Sequence, residues 1–148
     1  QGLSAREAGQ ILEEEVPHIC QYFTVNDLNF LKRSGRVSGA TAAIGTVLNI
    51  KPILYGSADG HIVACGKVRG RKKAIDTLVE TYAKKQVDAA NHLVAISHGD
   101  CLADAQLLAE KVRAVAAPKD ILIVPHEPFS GAHVGPGMLA LFFYGSER

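Results

Sequence analysis

Apolar residues recur along the chain at two spacings. Ala8, Ile11, Leu12 and Val16 fall three or four residues apart, which is one face of a helix. Ser4 and Glu7 precede that stripe in the capping-box pattern, and Pro17 closes it. The run from Tyr22 to Val25 predicts a short strand. Asn26 then caps a brief helix through Leu28 and Leu31, which Gly35 stops. Ser38 opens a further helix rich in small residues, Ala40 to Thr46. Two strand-like runs, Ile50 to Tyr55 and His61 to Val68, flank the turn sequence Ser57-Ala-Asp-Gly60 and predict a hairpin. Arg71 to Lys85 predicts a long helix with a buried stripe of Ala74, Ile75, Leu78, Val79 and Tyr82. A strand over His92 to Ser97 follows, then a helix capped by Asp100 and carrying Ala105, Leu108, Ala109 and Val112. Ile121 to Val124 fits an inner strand and Met138 to Tyr144 a last one.

The hairpin requires antiparallel pairing, while the later alternation of helix and strand brings parallel pairing. The expected fold is therefore α/β: a two-layer domain with a mixed β-sheet and helices mainly on one face. A length of 148 residues with 47% hydrophobic and 21% charged positions suits one domain with a real core. A net charge of +1 supplies no global field toward nucleic acid, so any anion site has to be a local cluster. Three widely spaced cysteines, Cys20, Cys65 and Cys101, fit neither a disulfide framework nor a zinc ribbon, and point to a reducing cytoplasm. No apolar run is long enough to span a bilayer, which leaves at most a transient membrane contact. The chain starts at Gln1 without an initiator Met, as after processing or a cut from a longer chain.

Three segments carry candidate chemistry. Leu31-Lys-Arg-Ser-Gly-Arg-Val-Ser-Gly39 sets Arg36 on a constrained loop beside the helix start at Ser38. A guanidinium fork with free backbone N–H groups suits a carboxylate or phosphate; the plainer account is a helix end followed by a helix start, with Arg36 solvated. In Val68-Arg-Gly-Arg-Lys-Lys-Ala74, the cations Arg69, Arg71, Lys72 and Lys73 stand at a helix N-terminus, where the dipole disfavours each by about 0.3–1 kcal/mol. An anionic visitor or an acidic partner surface would relieve that cost, and so would screening by salt. The third, Pro125 to Gly137, surrounds His133 with Gly131, Gly135 and Gly137. Glycine at that density lets backbone approach a ligand, and His133 can donate a hydrogen bond or exchange a proton. The spacing of His92, His98 and Cys101 matches no standard metal set, and no G-x-S-x-G elbow or Walker loop is present.

Taken in order, these segments resemble the DegV family. The likeness runs from Phe23 to Ser38, through Leu48-Asn-Ile-Lys-Pro-Ile-Leu54, Asp59-Gly60 and Val68-Arg-Gly-Arg-Lys-Lys73, to His133-Val-Gly-Pro-Gly137. It implies a non-catalytic lipid-binding protein that holds a long-chain fatty acid, with no other cofactor. In Gram-positive bacteria such proteins present the bound carboxylate to a fatty acid kinase for acyl phosphate formation. By this resemblance Arg36, Ser38, His133, Gly135 and Gly137 belong to the head-group site, and Arg69, Arg71 and Lys72 meet the kinase. Residues 22–148 would form the C-terminal lipid-binding domain. Residues 1–21 would be the end of an N-terminal domain, or the connection to it, and that domain would hold the hydroxyls completing the site. The alternatives from the residues alone are a small phosphotransferase or hydrolase using His133 with Arg36, or an interaction domain docking through its basic stretch.

Overall fold

The capping box at Ser4 forms as expected. The Ser4 side chain accepts from the Glu7 N–H, and the Glu7 carboxylate accepts from the Ser4 N–H at 2.8 Å, opening α1 (Ala5–Glu15). This computed structural model describes residues 2–37 and 49–146. No residue of α1 is buried, and Ile11, Leu12 and Val16 are exposed. Pro17 turns the chain through a single 3-10 turn into β1 (Ile19–Thr24), which starts three residues before the expected strand.

The other strands are β2 (Ile50–Gly56), β3 (Ile62–Arg69), β4 (Leu93–His98), β5 (Asp120–Pro125) and β6 (Leu139–Tyr144), in spatial order β3-β2-β1-β6-β4-β5. Every pairing is antiparallel except β4 with β5. The sheet is thus mixed, as expected. Its hairpin tolerates Pro52 because β1 reaches β2 only at Tyr55 and Leu54, so Pro52 lies where β3 alone pairs. One expectation is corrected: β5 is an edge strand, not an inner one, and Leu122 is 57% exposed.

Alternation along the strands divides the core in two. Cys20, Tyr22, Val94, Ile96, Leu139, Leu141 and Phe143 turn to the face covered by α3 (Arg71–Lys85) and α4 (Leu102–Val115). Both predicted stripes, Ala74 to Tyr82 and Ala105 to Val112, are buried there. Among the described residues the opposite face carries two short helices, α2 (Asn29–Arg33) and α5 (Pro128–Val134). Their smaller core joins Leu28, Leu31, Leu54, Val134, Met138 and Ala140. The two longest described helices, α3 and α4, therefore lie on one face.

Two cap assignments change. Leu28, not Asn26, precedes α2, and the Asp27 carboxylate accepts from Asn29 N. Cys101 rather than Asp100 precedes α4; its N–H donates to His98 Nδ1 at 3.3 Å, while Asp100 adopts the left-handed conformation. Ser38 and the helix expected from it lie outside the described residues.

The loop between α5 and β6 passes close to α2. Gly135 has φ +74°, and a methyl group there would lie 2.5 Å from Phe30 Cδ2. A methyl group at Gly137 would overlap the Asn26 amide. Gly135→Ala is therefore expected to lower stability by about 2–4 kcal/mol, combining overpacking with left-handed strain. Thermal unfolding measures it, and the loss should shrink in a Phe30→Ala background, where the ring is gone.

Candidate functional site

Arg36 is placed by the way α2 ends. Gly35 takes φ +71°, its N–H donates to Lys32 O at 3.1 Å, and the Arg36 N–H donates to Leu31 O at 2.9 Å. This pair of bonds is a Schellman closure, which needs a left-handed residue after the helix and fixes the direction of the next one. The Arg36 side chain is exposed. Its Nη1 donates to Ser34 O, and its Nη2 stands 3.5 Å from His133 Nε2.

His133 comes from α5, which starts at Glu127. The Glu127 carboxylate accepts from Phe129 N at 2.7 Å and from Ser130 N at 2.5 Å, and Pro128 takes the first helical position. The hydrogen bonds from Ser130 hold the Glu127 carboxyl below the usual carboxylate range. The structure thus brings Arg36 and His133 together although 97 residues separate them. Gly135 and Gly137 follow directly, tied to the end of β4 by Gly137 N–H donating to Gly99 O at 2.6 Å.

Beside this pair lies a cavity of about 300 Å³ on the face that carries α2 and α5. Phe23, Ile62, Val134, Met138, Ala140 and Phe142 make its wall mostly apolar. Gly60, His61 and Ile62 line both this cavity and the depression holding Arg36, so the two adjoin along the β2–β3 turn. The volume falls at the lower end of small-molecule pockets, about 300–1,000 Å³.

The wall also contains a polar group that the sequence did not single out. Both nitrogens of His126 are engaged: Nδ1 with Ser97 Oγ at 2.8 Å and Nε2 with Ser130 Oγ at 2.6 Å. Ser97 is buried at the end of β4, and Ser130 lies on α5. Burial pushes the His126 imidazole below its ordinary value, partly opposed by the Glu127 carboxylate. The one local signal was the i, i+4 spacing of His126 and Ser130; Ser97 is reached only through the sheet.

The basic segment is split in two. Arg71 turns inward: Nε donates to Asp104 Oδ2 at 2.8 Å in the first turn of α4, and Nη2 reaches Cys101 Sγ at 3.4 Å. Its side chain is only 19% exposed. Arg71 links the starts of two helices, and Asp104 offsets its unfavourable place at the α3 N-terminus. Arg69 and Lys72 are exposed, and Lys73 pairs with Glu80 at 3.0 Å. Among the described residues no helix is long and apolar enough to cross a membrane, and no group of three or more His, Cys, Asp or Glu is placed to hold a metal ion.

An apolar cavity thus lies beside a paired arginine and histidine. The chain belongs to the DegV family, whose model, described as uncharacterised proteins of that family, matches residues 1–146. It is similar to a DegV domain-containing protein of Clostridium perfringens, 41% identical over 99% of this chain and 50% of the relative. A fatty acid binding DegV family protein from Streptococcus agalactiae is 29% identical, with TM-score 0.84 over 99% of this chain and 51% of its own. A DegV family protein from Ruminococcus gnavus, refined with vaccenic acid, is 27% identical, with TM-score 0.85 over 95% and 50%. The chain spans about half the length of the curated relatives it matches.

Two outcomes follow from this geometry. Arg71→Ala is expected to lower stability by about 1–2 kcal/mol, because Asp104 loses a charge-assisted bond, whereas Lys72→Ala stays within about 0.5 kcal/mol; denaturant unfolding separates them. The stability due to His126 is present above its unfolded pKa near 6.5 and is lost as pH falls through its lower folded value. Thermal unfolding across that range should show a loss that His126→Asn removes.

Proposed function

We propose that this chain is the part of a fatty-acid carrier that shelters the acyl chain and half of the head-group site. The carboxylate would lie at Arg36 and His133, the tail in the cavity beyond Ile62. The observation that carries this reading is the adjacency itself: an apolar cavity of about 300 Å³ shares its wall at Gly60 to Ile62 with the depression holding Arg36. A fatty acid needs an anion-binding end and an apolar sleeve in contact, and Arg36 offers the planar donor fork that suits a carboxylate. Gly135 and Gly137 would bring backbone close to the head group, and Ser38 would add a hydroxyl. The fatty-acid-bound relatives support the same ligand class for this chain.

The carrier acts in the cytoplasm and does no chemistry itself. It presents the carboxylate to a fatty acid kinase, which forms the acyl phosphate. Arg69 and Lys72, exposed near the start of α3, would meet that kinase, with Arg71 holding the helix start in place. A buried carboxylate beside an apolar tail requires several donors. The remaining ones would come from the part of the relatives' length that this chain does not match.

The test is native mass spectrometry of the protein at its natural length after gentle purification. A co-purified long-chain fatty acid is expected. Arg36→Ala should weaken its binding about 10- to 100-fold, the loss of one charge-assisted contact. Absence of any bound acid after expression in several hosts would rule the reading out.

A further inference from the structure

The Ser97–His126–Ser130 chain lies in a wall that an alkyl chain would touch, yet nothing about an alkyl chain requires it. Ser130 and His126 both line the cavity, among Phe23, Val134, Met138, Ala140 and Phe142. His126 has no capacity to spare, since its two nitrogens are taken by Ser97 at 2.8 Å and Ser130 at 2.6 Å. Ser130 does. A hydroxyl has one donor and two acceptor lone pairs, and His126 uses only one of these.

The proton count makes Ser130 adaptable. Burial favours the neutral imidazole, which carries one N–H. If that proton is on Nε2, His126 donates to Ser130 and the Ser130 O–H is free to donate into the cavity. If it is on Nδ1, Ser97 accepts it, Ser130 donates to Nε2, and the Ser130 lone pairs face the cavity. The buried Ser97 hydroxyl follows either state. Ser130 can therefore serve as donor or acceptor without breaking its bond to His126.

A plain alkyl chain covering Ser130 would strip water from that unused capacity and return nothing, which disfavours it. An oxygen on the chain would satisfy it. Ser130 and His133 lie on one face of α5, three residues or about 5 Å apart along the helix. That is the span of a few methylenes beyond the head group.

We propose that Ser130, backed by His126 and Ser97, is a specificity-determining contact for fatty acids bearing a hydroxyl or keto oxygen a few carbons from the carboxylate. The proposal rests on the fatty-acid reading of the cavity and goes beyond it by naming the class of acyl chain. No covalent step is involved.

The test compares palmitic acid with β-hydroxypalmitic acid on delipidated protein of natural length, by titration calorimetry. The wild type should bind the hydroxy acid at least as tightly. Ser130→Ala should weaken the hydroxy acid about tenfold and leave palmitic acid unchanged or tighter. Ser130→Thr, which keeps the hydroxyl, should restore the wild-type ratio and shows that the fold survives change at this position. Equal effects of Ser130→Ala on both acids, or none on either, overturn the proposal and leave fatty-acid binding intact. Wild-type binding of palmitic acid with rejection of the hydroxy acid overturns it too. If the wild type binds neither acid, the fatty-acid reading falls with it.

Discussion

The close approach of the α5–β6 loop to the α2 segment sets the geometry of the Arg36–His133 pair. Gly135 leaves room for the Phe30 ring and Gly137 for the Asn26 side chain, so backbone and side chains meet with no Cβ between them. Phe30 lies in α2, whose closure at Gly35 aims Arg36, and Gly135 follows the helix that carries His133. Any residue larger than glycine would push these two segments apart, and with them the guanidinium and the imidazole. The Arg36–His133 pair is therefore a consequence of backbone packing, since the two side chains gain little from each other at 3.5 Å.

The sheet supports that packing by treating its two faces differently. One face is sealed by α3 and α4, whose stripes bury Ile75, Leu78, Tyr82, Leu108 and Val112 completely or nearly so. Tyr82 also closes the far end of α4 by donating from its hydroxyl to Ala116 O at 2.8 Å. This side supplies stability. On the other face, among the described residues, the short helices α2 and α5 pack, and Leu93 and Leu122 are exposed.

Local pattern made much of this legible. Helix periodicity located both buried stripes, the turn sequence after Tyr55 located the hairpin, and the ordered motifs located the family. The glycines of the third motif were readable as positions of close approach, but not which neighbour they admit, because Phe30 and Asn26 are more than a hundred residues away. β5 misled for a related reason. Four successive apolar residues look buried on both sides, yet the second face is uncovered there, so Ile121 is buried and Leu122 is not. Asp100 looked like a helix cap, whereas Cys101 precedes α4 with no side-chain cap, its own N–H donating to His98 Nδ1. For the glycines and for β5 the missing information was which partner a long-range contact provides.

The same limit separates the cations of the second motif. In sequence, Arg69, Arg71, Lys72 and Lys73 form one basic cluster at the wrong end of a helix. In space they differ in kind: Arg71 is 19% exposed against Asp104 at 35%, while Arg69 and Lys72 face solvent. A charge held inward by a carboxylate keeps its helix start in register with a neighbouring one and offers little to an approaching anion. A charge left outside keeps its hydration and its long-range attraction, which steers encounters more than it strengthens complexes. A cluster that looks uniform in sequence thus divides into one cation held inward by Asp104, one paired with Glu80 and two exposed ones. The division was invisible until Asp104, thirty-three residues on, was placed beside Arg71.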